Sequence, residues 1–348
     1  MRGSLAGTRD TGAFLDWSDS SLVRAARDIG PDLDAALELA VTLGPLADEL
    51  GDRTWTWLRA LGSLGAGDLT VARVVEPHLD ALAILAQAAT DDPGSGPTPG
   101  PGTTWGVYAA HAPGARLEAV ATADGWRLSG RKPWCSLADR LDHAVVTAHV
   151  DADRRQAFAV DLRQPGVVVE DGPWVARGLA DVRSTALVLE DVPALPVGPP
   201  QWYLERAGFA WGGIGVAAVW FGAACAVGQA VLDTARSRTP DQVALVHLGR
   251  IDGALRATLL WLREAAVLVD AGRATGSEGQ LLAARVRASA AATAELVLGE
   301  TGRALGPGPL TSDEEHARRV ADLTVYVRQH HGDRDLAVLG AQLVEGDE

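Results

Sequence analysis

From Ala207 to Leu232 the chain runs for 26 residues without a charged side chain. That is long enough to cross a bilayer as a helix. Eight of the 26 are Ala and six are Gly, so the segment gains little by entering lipid. A helix that is small and apolar on every side also suits the middle of a helical bundle, where neighbours cover it all round. On that reading no membrane is involved, and long partner helices must lie close by. The pattern supplies them: helical periodicity covers 202–235, 241–272, 277–305 and 313–329, an up-down four-helix bundle. "GRATG" and "GPGPLTSDEE" break the periodicity, and Ser312 with Glu315 fits a capping box.

The remainder of the chain divides by pattern. Residues 20–90 read as helices, with Asp68 as an N-cap. "DDPGSGPTPGPGTT", residues 91–104, is too rich in Pro and Gly for a helix or central strand and reads as a linker. Beyond it "ARLEAVATADGWRLSG" alternates toward an Asp124-Gly125 turn, a hairpin signal. "DHAVVTAHV", "RQAFAVDL", "GVVVEDG" and "STALVLEDV" are further short apolar runs, which suggest a small antiparallel barrel or sandwich over about 104–196. The expected class is α+β: an N-terminal helical domain with its linker (1–100), a central small antiparallel β domain (101–198) and a C-terminal four-helix bundle (199–348).

Charge and cysteine count exclude several functions. Lys and Arg number 31 and Asp and Glu 45, a net charge of −14. Neither nucleic acid nor an anionic membrane is an expected partner, because both are bound through clustered cations. Cys135 and Cys225 stand too far apart in sequence to suggest a disulfide framework, and "MRGSLAGTRD" has no apolar leader, so a cytoplasmic location is expected. Gly213 to Ala218 matches GxGxxA in form, but it lies inside a helix rather than after a strand. His330-His331 lacks further ligands at metal spacing, so no metal site is expected.

One short stretch, "RKPWCS" at 131–136, concentrates chemistry. It follows the strand "GWRLSG". A Trp at a strand end offers a flat apolar wall, and strand side chains repeat every two residues. Trp134 and Ser136 are thus expected on one side, able to pack a planar heterocycle and donate to its edge, with Cys135 turned to the core. The plainer alternative is a core Trp and a Ser in a turn.

These residues, within this order of segments, resemble the acyl-CoA dehydrogenase family. The resemblance runs from about residue 20 to 340. It rests on "SGRKPWCS", with Gly130, Lys132, Trp134 and Ser136 at the positions of the family's Gly-x-Lys-x-Trp strand, and on "RLDHAVVTAHV" and "ARVVEPHLDALAIL". It implies bound FAD, with Trp134 beside the flavin ring and Ser136 at N5. "YAAHAPGARL" replaces the family's loop ahead of the hairpin, where the backbone around Tyr108 to Ala110 and Gly114 is expected to approach the flavin. The family's Arg-x-x-Phe-Gly, which holds the flavin diphosphate across a dimer, is replaced by "ARSRTPDQ", leaving Arg236 or Arg238 as the cation. "ALGPGPL" keeps the late Gly-rich turn at Gly306 and Gly308.

The resemblance also implies α,β-dehydrogenation of an acyl thioester, electrons leaving through an electron-transfer flavoprotein, and a homodimer or homotetramer. The glutamate that most members use as base is replaced in "RQHHGDRDL" by His330 or His331. A minority of the family carries the base at the start of the bundle, where this chain has Glu205 in "YLERAG"; apolar neighbours there are expected to desolvate it. The histidines support a different reading, a monooxygenase of the same fold fed with reduced flavin. A third alternative is a non-catalytic partner subunit.

Overall fold

The computed structural model describes residues 13–345, so the "MRGSLAGTRD" segment lies outside the described residues. Four helices open the chain: α1 (Ser20–Ile29), α2 (Leu33–Leu43), α3 (Thr54–Gly67) and α4 (Leu69–Asp91). Aspartates cap three of them. Asp19, Asp32 and Asp68 each accept two of the backbone N–H groups that a first helical turn leaves free. Asp68 is the cap expected from the sequence, and it also pairs with Arg318.

Seven strands follow: β1 (Trp105–Tyr108), β2 (Leu117–Thr122), β3 (Gly125–Ser136), β4 (His143–His149), β5 (Arg155–Asp161), β6 (Val167–Val169) and β7 (Ser184–Val197). The β2–β3 hairpin forms as expected, but its two turn residues are Ala123 and Asp124, and Gly125 already pairs with Thr122 as the first residue of β3. The order β1-β4-β2-β3-β7-β5 returns to β4 through a β4–β5 pairing, so five strands close on themselves. Closure removes unpaired edges. The expectation of a purely antiparallel module is corrected at two seams: β1 runs parallel to β4 over four residue pairs, and β2 meets β4 in parallel at Glu118 and His149. The β2–β3 hairpin lies between β1 and β4 in sequence, and its length lets the chain return in the starting direction.

A bulge interrupts β3. Lys132 faces Leu187 and Cys135 faces Thr185, so three steps on β3 oppose two on β7. The extra residue falls at Pro133-Trp134, and Trp134 takes φ +59°. This breaks the period-two alternation that put Trp134 and Ser136 on one side. Trp134 is exposed, while Cys135 and Ser136 are both buried. Cys135 packs in the core, as the sequence suggested.

After the single turn α5 (Trp202–Glu205) come α6 (Ala207–Ser237), α7 (Gln242–Asp270), α8 (Gly276–Leu305), α9 (Gly308–Ser312), α10 (Glu314–Tyr326) and α11 (Asp333–Glu345). α6, α7 and α8 are the long members of the bundle. The fourth, α10, is shorter than the pattern implied and passes into a 3-10 turn at Val327–Gln329. The capping box is corrected as well. Asp313 caps α10 through the His316 N–H, while Ser312 ends α9 and donates to the Gly308 carbonyl.

The uncharged segment is a core helix: 89% of the most apolar window of α6 is buried. Its small residues admit α3. A methyl group at Gly222 would overlap the Gly62 carbonyl, and one at Gly65 would overlap the Val219 carbonyl, so the two backbones touch. One apolar core continues from this contact into the sheet. A polar tie joins the β6–β7 connection to α10, where the Leu179 N–H donates to buried Asp322 at 2.6 Å.

Gly222→Ala should therefore destabilise the protein by about 3 kcal/mol in urea unfolding, since overpacking a backbone contact leaves no side chain to yield. Gly249→Ala, on α7 where an added methyl meets open space, should be neutral or stabilising. Equal effects of the two substitutions would contradict the close contact.

Candidate functional site

Trp134 stands 59% exposed on the β3 bulge. A bulky residue at positive φ carries a conformational penalty of about 1 kcal/mol or more. The exposed indole recovers little of that penalty by packing. Backbone strain retained at an exposed aromatic residue is characteristic of a ligand site. The surroundings fit a planar group. The indole face is open, and the loop between β1 and β2 exposes Ala110 and holds Gly114 at φ +76° with free space beyond its Cα. Tyr108 roots that loop to the bulge, its buried phenol donating to the Ser136 carbonyl at 2.9 Å.

The hydroxyl of Ser136 is fully engaged. It accepts from Arg73 Nη2 at 3.1 Å and shares a 2.7 Å bond with the Ser184 hydroxyl. Ser184 in turn donates to the Val182 carbonyl at 3.0 Å. A hydroxyl has one proton, so the shared bond takes that of Ser136. The charged donor at this edge is Arg73. The cations of "RKPWCS" are also spent: Arg131 forms a fork with both Glu170 oxygens at 2.7 Å, and buried Lys132 donates to the Thr147 carbonyl and hydroxyl at 2.7 Å. Burial lowers the Lys132 pKa to about 8.

Behind Ser136 lies a buried polar cluster that sequence reasoning missed. Arg73, Glu76 and Asp80 fall at helical spacing on one face of α4. Glu76 sits 3.6 Å from Arg73 Nη1 and accepts from the Tyr326 phenol at 3.3 Å. The Arg73 guanidinium lies 5.8 Å from the centre of the Tyr326 ring. Tyr326 meets Trp220 edge-on, and Arg287 lies 4.9 Å over the Trp220 ring while donating to the Gly213 and Gln329 carbonyls. Asp80 is 3.9 Å from Arg206, too far for a hydrogen bond. Asp80 Oδ1, Arg206 Nε and Trp220 Nε1 are buried without hydrogen-bond partners. The signal was present in "ARVVEPHLDALAIL", where charges recur on one face of an otherwise apolar helix.

The other residues singled out from the sequence fall in three places. Glu205 ends α5 in an exposed position, so the desolvation expected of it is absent. The reason is local: α5 is one turn long, and it is the next residue, Arg206, that turns inward to Gln87 and Asp80. His330 is buried, its Nδ1 accepting from the Gly332 N–H at 3.3 Å, and burial holds its pKa below the ordinary histidine value. His331 is exposed, and its ring lies 3.2 Å from Asp335. Arg238 lies at the far end of α6 and lines a cavity of about 360 Å³ together with His247 and Arg303 to Leu305. Gly306 follows directly at φ +66° and closes α8. The structure thus brings Arg238 and the late Gly turn together, and Tyr108 and Ser136 together.

Burial raises the Glu76 pKa from 4.5 to about 7, with Arg73 opposing the shift. The folded protein then holds a proton that the unfolded chain has released. This contribution to stability is fully present below the unfolded value and is lost as pH rises through the folded one. Glu76→Gln should remove the loss. Relative to the parent, its unfolding free energy should rise by roughly 2 kcal/mol between about pH 5.5 and pH 8. Parallel stability curves for the two proteins would exclude a perturbed Glu76.

No protein-family model and no curated protein matches this chain. Solved structures do. KijD3, in complex with FMN and dTDP-3-amino-2,3,6-trideoxy-4-keto-3-methyl-D-glucose, is similar at TM-score 0.77 and 19% identity, over 94% of this chain and 92% of that one. FMN-bound TdsC from Paenibacillus sp. A11-2, a dibenzothiophene monooxygenase, is similar at TM-score 0.75 and 16% identity, covering 96% and 97%. Butyryl-CoA dehydrogenase from Megasphaera elsdenii is similar at TM-score 0.76 and 18% identity, covering 93% and 97%. At these identities the likeness is one of fold, and it extends over nearly the whole chain. The chain has the acyl-CoA dehydrogenase fold, as the order of its segments implied.

Proposed function

We propose that this chain is a flavin-dependent oxidoreductase that uses reduced flavin and dioxygen to oxygenate a small organic substrate. The observation that carries the reading is the loop after α10. It offers a buried imidazole, His330, which accepts a hydrogen bond at Nδ1 and is therefore neutral, where a dehydrogenase of this fold needs a carboxylate base. Asp335, the nearest acid, is held below the usual carboxylate range, with the His331 N–H and ring among the groups that lower it. Of the neighbours in fold, TdsC is a monooxygenase and KijD3 is seen with FMN.

Trp134 would pack against the flavin ring, with Arg73 and the Ser136 backbone at its edge. Arg238 and Arg303 line the cavity that would take a diphosphate if the flavin is FAD rather than FMN. Bound reduced flavin supplies two electrons, so that substrate, dioxygen and reduced flavin give hydroxylated or sulfoxidised product, water and oxidised flavin. On this reading His330 would hold or pass a proton. A separate flavin reductase must supply the reduced form. A homo-oligomer in the cytoplasm is part of the reading.

Dehydrogenation of an acyl thioester, with an electron-transfer flavoprotein as acceptor, is the second reading. It keeps one observation: Glu205 directly precedes Arg206, whose guanidinium enters the α4–α6 cluster, so a ligand filling that region would cover the carboxylate.

Visible spectra separate the readings. On the first, an anaerobic acyl-CoA panel leaves protein-bound oxidised flavin unbleached, and reduced flavin with a thiophene, indole or amino-sugar panel couples oxygen uptake to product. Bleaching by any acyl-CoA that Glu205→Gln abolishes would establish the second reading instead. Failure to bind FMN or FAD would leave the non-catalytic subunit. Trp134→Gly should lower flavin affinity at least tenfold while leaving the ligand-free protein as stable or more so, because it relieves the positive φ. Retained affinity would remove Trp134 from the site.

A further inference from the structure

We propose that Arg73 and Glu76 form a proton-dependent charge pair beneath the Trp134–Ser136 rim, and that Glu76 thereby sets the charge the rim presents to an anionic ligand. The proposal rests on the flavin reading of that rim. One guanidinium reaches both partners: Nη2 donates to the Ser136 hydroxyl at 3.1 Å, and Nη1 lies 3.6 Å from the Glu76 carboxylate. Arg73 belongs to the outer layer with Ser136, and Glu76 lies behind it against the Tyr326 phenol. The guanidinium stays charged at every working pH. Any change in the charge of the pair must therefore come from the carboxylate. When Glu76 is ionised the pair is neutral. When it is protonated the rim carries an uncompensated cation.

The other groups facing Glu76 do not replace it in this role. Tyr326 on α10 and Tyr203 on α5 are pushed up by burial and stay neutral. Arg287 on α8 and Arg206 between α5 and α6 remain cations. Asp80, on α4 itself, is raised by burial, but it lies a turn further from Ser136 and faces Arg206. His78, also on α4, is drawn down to about 4 by burial and stays neutral. His330, whose pKa Arg287 helps to lower, is neutral as well. Glu76 is the group brought to about 7, the range in which a reduced flavin ring also becomes an anion.

The test compares the affinities of the full-length protein for reduced and oxidised FMN, measured anaerobically at about pH 6 and about pH 8.5. Taking parent against variant cancels the flavin's own titration. In the parent, the preference for the reduced form should fall about fivefold more between the two pH values than in Glu76→Gln. Arg73→Lys should keep that preference, and Arg73→Gln should abolish it at both pH values. Parallel behaviour of parent and Glu76→Gln, with flavin bound, overturns the charge pair and leaves the flavin reading intact. No flavin binding by the parent overturns both. A measurement without ligand separates a misfolded variant from a failed idea. Difference infrared spectra of the parent should show a protonated-carboxyl band that titrates near pH 7 and is missing in Glu76→Gln. Absence of that band in the parent also overturns the proposal.

Discussion

Backbone contact between α3 and α6 organises this molecule. Gly62 and Gly65 meet Gly222 and Val219 with no side chain between them. A helix that lets another backbone in this close must be built of very small residues, and a helix buried on all sides cannot carry charge. Both conditions appear in α6, and both follow from the one contact. The same economy of volume acts at its N-terminal half. A methyl at Gly208 would strike Gln87 and one at Gly212 would press on Asp80. One side of α6 thus admits an apolar helix, and the other leaves room for polar side chains of α4. The buried charges are a second consequence of the glycine pattern that closes the core.

Much of the architecture was legible in the sequence because each segment has its own period. The helical stretches, the Pro/Gly break and the Asp124-Gly125 hairpin depend on neighbours close in sequence. The parallel seam between β1 and β4 does not, since it pairs Trp105 with His143 across the intervening hairpin. Ser312 carried the right residue type for a cap, but α9 claimed it, and Asp313 one residue on took the position. The bulge at Pro133-Trp134 was the costliest omission. A single inserted residue shifts every later side chain to the other face. No local pattern announces it beyond the proline itself.

Within the stretch "RKPWCS" the polar side chains are engaged differently from what the sequence suggested. Its serine was expected to act through a free hydroxyl proton, and that proton is taken by Ser184. Its two cations are held by Glu170 and Thr147. The charge that reaches this edge comes from α4, about sixty residues earlier in the chain. Identity alone could not reveal it: Arg73 and Glu76 look like an ordinary solvated pair until the apolar residues around them show that α4 is covered on both sides.

Trp134 is held in a backbone conformation that glycine and asparagine adopt more readily, while its side chain gains little from the fold. Stability alone therefore supplies no reason for a bulky aromatic there, and drift toward smaller residues would be downhill. The fold could give up this indole without loss, so the side chain faces outward as a surface that the rest of the chain does not use.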